Sequence, residues 1–243
     1  MDRLISLNID FISGTGNNSF IHPVIIQSDK ENILIDCGTP ASLSLLEKEA
    51  QKNNFDFSKL TKLIITHHDH DHMGALYEIK EKYPHIQVVS SLLEKPYIEG
   101  TKKSLRLEQA EKIYTTLSEN EKVNADYFHN MLKSIKHVPV DITIDGDYEL
   151  DWGGGIKIIS TPGHMPGHIS IYSKKFKTLI TGDAMVIENE KLFLANPQYT
   201  LDMEEAINSI RKFLEYDIQQ LICYHGGIIK GDITYKIKKL LNK

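Results

Sequence analysis

The chain has 243 residues, of which 41% are hydrophobic and 25% charged, and its net charge is −5. That balance excludes a disordered tail, a collagenous repeat and a small disulfide scaffold; a chain of this length buries roughly 70–75% of its unfolded surface without staples. Mild acidity also argues against a protein whose main task is gripping nucleic acid, which carries a basic patch. Strands come first, at residues 4–12, 20–27 and 32–36, with Gly14-Thr15-Gly16-Asn17-Asn18 as a loop. Leu43, Leu46 and Ala50 recur at helical spacing and predict a helix over 40–52. A short buried strand at 63–66, a helix over 75–82 that stops before Pro84, and a strand at 86–90 follow.

Residues 92–136 show no strand-like alternation. Leu107, Ala110, Ile113, Tyr114 and Leu117 repeat at helical intervals, predicting two or three helices outside the main sheets. Strand signals return at 142–144, 156–160, 168–172 and 178–181. A helix over 203–216 carries Ile207, Ile210, Phe213 and Leu214 on one face, with Asp202 as N-cap and Glu205 completing a capping box. A last strand at 220–224 and a last helix at 233–241 close the order; the basic stretch 230–243 reads as that helix's solvated face. The pattern is that of a layered α/β protein, expected as a single domain over 1–243.

Cys37 and Cys223 form no CxxC pair and each lies in an apolar run, as free thiols in a reducing compartment do. The first residues carry no apolar block of signal-peptide length, and no run reaches the roughly 18 apolar residues of a membrane span. The expectation is a cytoplasmic protein with no membrane partner.

One segment concentrates chemistry: Thr66-His67-His68-Asp69-His70-Asp71-His72-Met73-Gly74, six consecutive imidazoles and carboxylates after an apolar strand. Neutral imidazole and ionised carboxylate are ligands of divalent metals, and a loop leaving a strand end can fan them around one point. The bland alternative is a histidine-rich surface turn. Further candidates stand at later strand ends: His164 in Thr161-Pro162-Gly163-His164, Asp183 in Thr181-Gly182-Asp183, and His225 in Tyr224-His225-Gly226. Ligands outside strand ends converge in α/β proteins, and the neighbouring glycines permit tight turns.

In this order the motifs resemble those of the metallo-β-lactamase superfamily of metal-dependent hydrolases, over nearly the whole chain. The resemblance implies a four-layer αββα sandwich, here with a helical insert around 92–136. It also implies a centre of two divalent metal ions, zinc in first place with manganese or iron as alternatives. By resemblance, His67 and His164 serve the first ion, Asp71, His72 and His225 the second, and Asp183 bridges both. A metal-bridging hydroxide would attack the substrate, with Asp71 as the catalytic group that orients it and shuttles its proton. His168 would be structural, and Asp36 would support the site from behind. Cys223 reads as buried packing.

The family's H-x-H-x-D-H has Asp69 in its second His position. Asp69 is expected to ligate the first ion, with His68 or His70 as substitutes, or that site weak or empty. A third carboxylate against two divalent ions leaves one positive charge instead of two. The bound water should then have a higher pKa, and the harder oxygen ligand should tilt selectivity from zinc toward manganese or iron.

Specificity is expected in the insert, where Tyr97, Lys102, Lys103, Arg106, Tyr114, Tyr127, Phe128 and His129 are candidates for an aromatic wall and a cationic anchor, or else ordinary helix faces. Tyr199 is a candidate oxyanion donor, or packing. Compact length and acidic charge favour a small-molecule ester, lactone or thioester as substrate. The alternatives are a phosphodiesterase or nuclease of the same fold, a diiron reductase core, and a non-catalytic metal-binding protein; a homo-oligomer stays open.

Overall fold

The computed structural model describes residues 2–12 and 18–242. In chain order the strands of the first half are β1 (Arg3–Ser6), β2 (Ile9–Ile12), β3 (Asn18–Ile21), β4 (Val24–Gln27), β5 (Asn32–Ile35), β6 (Lys62–Ile64) and β7 (Gln87–Ser91). Its helices are α1 (Leu43–Lys52), the single turn α2 (His70–Met73) and α3 (Leu76–Lys82). The insert supplies α4 (Lys95–Ile98), α5 (Leu105–Tyr114) and α6 (Glu119–Ser134). After it come β8 (Ile142–Ile144), β9 (Tyr148–Leu150), β10 (Ile156–Ser160), β11 (Ile169–Ser173), β12 (Thr178–Ile180), β13 (Met185–Glu188) and β14 (Lys191–Leu194). The chain then runs through α7 (Met203–Arg211), β15 (Gln220–Cys223), β16 (Gly227–Lys230) and α8 (Ile233–Leu241).

Two six-stranded sheets result, ordered β1-β4-β5-β6-β7-β8 and β16-β15-β12-β11-β10-β9. Alternation along each strand decides the layers. Ile33 and Ile35 of β5 face the other sheet while Leu34 faces the helices, and on β15 Ile222 faces in while Leu221 and Cys223 face out. Val24, Ile26, Ile64, Ile156, Ile158, Ile171 and Ile180 complete the core between the sheets. The outer face of the first sheet packs on α1 and α3 through Leu46, Ala50, Leu76 and Ile79, and that of the second on α7 and α8 through Ile210, Ile233, Ile237 and Leu240. Strands covered on both faces read as unbroken apolar runs, and this is the four-layer αββα arrangement.

Several expected boundaries shift. The run 4–12 breaks at Leu7 and Asn8 into β1 and β2, which join different sheets. The first helix begins at Leu43 rather than residue 40, because Asn-free Pro40-Ala41 forms a turn in which Ala41 has a φ of 68°. The 203–216 helix tightens into a 3₁₀ turn from Lys212, and the Asp202 carboxylate does accept from the Glu205 N–H at 2.9 Å. Most of the expected 14–18 loop lies outside the described residues. Strands β9 and β16 and the β13–β14 hairpin were not anticipated. In each half a parallel pair, β5·β6 or β12·β15, directs two strand ends toward the same edge of the molecule. Asp36, His67, Asp183 and His225 all follow those ends.

Candidate metal centre

The site is built from behind. Asp36 is buried just past β5 and accepts from the Thr66 N–H, the Thr66 hydroxyl and His72 Nδ1, each at 2.8 Å. The Thr66 proton is committed to Asp36, so the Thr66 oxygen accepts from His67 Nδ1 at 3.0 Å. One carboxylate thus sets two tautomers and turns His67 Nε2 and His72 Nε2 inward, the role that such outer partners play for metal ligands. On the far side the Tyr224 hydroxyl donates to the Asp71 carbonyl at 2.5 Å and accepts from the Gly38 N–H at 3.1 Å, which fixes α2 against β15. The turn after β12 needs Gly182: its φ is +52°, and a Cβ there would stand 2.7 Å from His168 Nε2. Gly226, at φ +98°, is equally constrained, since a Cβ would meet the Ile187 carbonyl oxygen at 1.9 Å.

All seven candidate ligands come together. Asp69 Oδ2 lies 3.4 Å from His67 Nε2 and 3.1 Å from His164 Nε2, forming one subset. Asp71 Oδ2 lies 3.2 Å from His225 Nε2 and 3.9 Å from His72 Nε2, forming a second. Asp183 faces both: Oδ1 is 3.3 Å from His72 Nε2, and Oδ2 is 3.6 Å from both His164 Nε2 and His225 Nε2. His67 Nε2, His72 Nε2 and Asp183 Oδ1 are buried and make no hydrogen bond among the described residues. Buried polar atoms without partners are costly, and here donor atoms converge within 4.8 Å in groups of three. The donor set of imidazoles and carboxylates fits divalent metal ions.

The charges compensate one another. Burial alone would raise Asp183, yet His225 and His72 hold its carboxyl well below the ordinary value. Burial opposes protonation of His225, but Asp183 and Asp71 push it up to about 10, and Asp183, Asp36 and Asp71 raise His72 likewise. His67 is lowered, first by burial and then by His72.

His168 donates from Nδ1 to Thr161 Oγ1 at 2.8 Å, and its Nε2 accepts the Asp183 N–H at 3.0 Å. Both nitrogens are engaged, so the ring braces the Asp183 turn. His68 is committed too: Nδ1 bonds Glu94, and Nε2 accepts the Leu105 N–H at 3.2 Å while the ring stacks on Tyr97. It cannot stand in for Asp69. His70 turns toward Phe128 of the insert, with Nδ1 3.6 Å from Asp71 Oδ1. Tyr199 offers its carbonyl, not its hydroxyl, to the site's surroundings, accepting from Arg106 at 2.8 Å. Tyr127 is 78% exposed.

Two partners were not legible as such in the sequence. Arg106, on α5, forks onto Asp69, with Nε 3.0 Å from Oδ1 and Nη2 2.6 Å from Oδ2. Burial would raise Asp69, but this guanidinium holds it well below the usual carboxylate range. Glu94, fully buried at the start of the insert, accepts the His68 N–H at 2.8 Å and the Gly167 N–H at 3.0 Å, so it ties the motif loop to the loop bearing His164. Replacing Glu94 by Ala leaves two buried N–H groups without an acceptor and should cost about 3 kcal/mol or more, read as a lower denaturation midpoint of the metal-loaded protein. An unchanged midpoint would show that water replaces the carboxylate there.

A family model described as the metallo-beta-lactamase superfamily matches residues 17–225. The chain belongs to the metallo-beta-lactamase superfamily. Among its superfamily relatives is the probable metallo-hydrolase YflN of Bacillus subtilis (strain 168), 29% identical over 212 residues that cover 82% of this chain and 76% of that protein. The metallo-beta-lactamase fold-containing protein ST1585 of Sulfurisphaera tokodaii is 28% identical over 227 residues, covering 90% and 78%. The crystal structure of ST1585 from Sulfolobus tokodaii, described as archaeal, superposes with a TM-score of 0.70 at 22% identity, over 98% of this chain and 84% of that one. A metallo-beta-lactamase family protein from Thermus thermophilus, TTHA1429, gives 0.69 at 19% identity, over 98% and 78%. The superfamily member described here is therefore a metallo-hydrolase with the αββα fold and clustered residues for divalent metal. Among its described residues no helix is long and apolar enough to cross a membrane.

Proposed function

We propose that this metallo-hydrolase cleaves a small-molecule ester, lactone or thioester at a centre of two zinc ions. His67, Asp69 and His164 would hold the first ion, Asp71, His72 and His225 the second, with Asp183 between them. The observation that carries this reading is the convergence of buried imidazole and carboxylate donors in two subsets that both face Asp183, with His67 Nε2, His72 Nε2 and Asp183 Oδ1 making no hydrogen bond among the described residues. Bound divalent ions supply a polarised water and positive charge for the developing oxyanion. The protein's part is positional. Asp36 and Thr66 hold the imidazole tautomers, and Tyr224 holds the Asp71 backbone. Asp71 orients the attacking water and takes its proton on the carboxylate that faces His225 and His70.

A cavity of about 380 Å³ opens beside His70 and is lined by Met73, Tyr97, Lys102, Leu107 and Lys133 among others. That size suits a small ligand, and its mix of apolar wall and lysines suits an acyl group bearing negative charge. Two buried free thiols support a cytoplasmic setting.

The test is a hydrolysis panel of small esters, lactones, thioesters and a phosphodiester, run on zinc-saturated and chelator-treated protein. Turnover of an ester, lactone or thioester that disappears on chelation is expected. Turnover of the phosphodiester alone would move the reading to a phosphodiesterase, and no turnover of any member would overturn it.

A further inference from the structure

Asp69 occupies a position where the superfamily's motif has a histidine, and its partner is a cation from the insert. Arg106 is 3% exposed. Its Nη2 makes the shortest contact to Asp69 Oδ2, at 2.6 Å, and Oδ2 is also the oxygen that faces His67 Nε2 and His164 Nε2. The same Nη2 lies 3.3 Å from His164 Nε2 and donates to the Tyr199 carbonyl at 2.8 Å. Two of the three donor atoms of the first subset are therefore already directed at a positive charge. Among the described residues, the side chains that pair with Asp71 and Asp183 are all imidazoles, those of His70, His72, His164 and His225, which can yield their protons to an incoming ion. A guanidinium cannot yield its proton in this way.

We propose that Arg106 is the stand-in cation of the first metal site, so that the two ions bind in fixed order and with unequal affinity. This inference rests on the two-ion reading above. The Asp71–His72–His225 site fills first. The His67–Asp69–His164 site fills second, and only as Nη2 releases Oδ2 and His164. Nε reaches both carboxylate oxygens, Oδ1 at 3.0 Å and Oδ2 at 3.2 Å, and its shorter bond to Oδ1 is free to persist, keeping Asp69 aimed at the site. Arg106 also supplies the positive charge that a third carboxylate removes. The expected fall in the centre's charge, with its consequence for water acidity, is offset within the protein.

The test is a titration of metal-free protein with zinc against a competing chromophoric chelator, for wild type, Arg106→Gln and Arg106→Lys, with thermal melts of each metal-free form. Wild type should take up ions in two steps, the second weaker by about 10- to 100-fold. In Arg106→Gln the second step should tighten by a similar factor, while the metal-free form melts lower because Asp69 loses its counter-charge. Arg106→Lys, a point charge that cannot span both oxygens and His164, should fall between them, and it keeps the test open if the glutamine variant fails to fold. A merely structural role would leave the second step unchanged or weaken it in the variants, and either result overturns the proposal. Two equal steps in wild type would overturn it as well, with the two-ion centre intact. No zinc uptake at all would instead overturn the two-ion reading itself.

Discussion

Asp183→Asn should lower hydrolysis by about 10²–10³-fold and strip the protein of at least one metal ion. Asp183 is the carboxylate that faces both subsets, reaching His72 through Oδ1 and His164 and His225 through Oδ2. Asparagine keeps the shape but replaces one oxygen by an amide nitrogen, which cannot accept, and removes a full negative charge from between the two proposed cation sites. The loss should appear in kcat rather than in KM alone, because Asp183 faces the centre and not the insert cavity. Elemental analysis after gel filtration should show the metal deficit directly. Metal content and turnover equal to wild type would remove Asp183 from the site.

The metal-free protein should be most stable near pH 6.5 and lose stability in both directions. On the alkaline side, His225 is raised to about 10 from 6.5 and His72 is raised as well. Groups raised in the folded state contribute fully below their unfolded value and lose that contribution as pH climbs through the folded one. The melting temperature should therefore fall between pH 6.5 and 10, by on the order of 5 °C or more. On the acid side, His67 and His168 are held neutral by burial, so below 6.5 the unfolded chain gains protons that the native chain does not. Asp69, Asp71 and Asp183, all depressed, add a further loss as pH falls below 3.8. Metal ions require neutral imidazoles, so loading the site should flatten the alkaline limb and release protons on binding. Thermal melts across pH with and without zinc, and calorimetry in buffers of different ionisation enthalpy, read both effects. A flat alkaline limb in the metal-free protein would show that His72 and His225 are not paired as the structure has them.

The candidate site was legible because its donors follow apolar strand ends at short range: Ile64-Ile65-Thr66-His67, Ile180-Thr181-Gly182-Asp183, Cys223-Tyr224-His225. Strands buried on both faces announce themselves, and so does the residue that leaves them. Arg106 and Glu94 were not legible in their roles, because each acts across separations of 26 to 93 residues, and no local pattern couples a helix arginine to a loop aspartate. The β13–β14 hairpin escaped for a different reason. Its turn is Asn189-Glu190, with both φ values positive at 48° and 61°. Such turns usually advertise themselves with Asn-Gly, and Glu at the second position hides the signal. Strand β16 was hidden likewise, since it opens on Gly227, the second glycine of a pair that reads as a loop.

Glu94 and the core between the sheets have a consequence for how the chain is made. Among the described residues, the inner face of the first sheet, from Val24 to Val89, is covered by the later half of the chain, from Leu150 to Ile222. Glu94 likewise waits for Gly167, and Asp71 for His225. At the usual pace of synthesis of roughly 5–20 residues per second, the first half leaves the ribosome about ten seconds before its cover exists. During that interval an isoleucine-rich surface and a cluster of acidic ligands stand open together. The helical insert, the next segment to emerge, is the part of the chain available to shield them until the second half arrives.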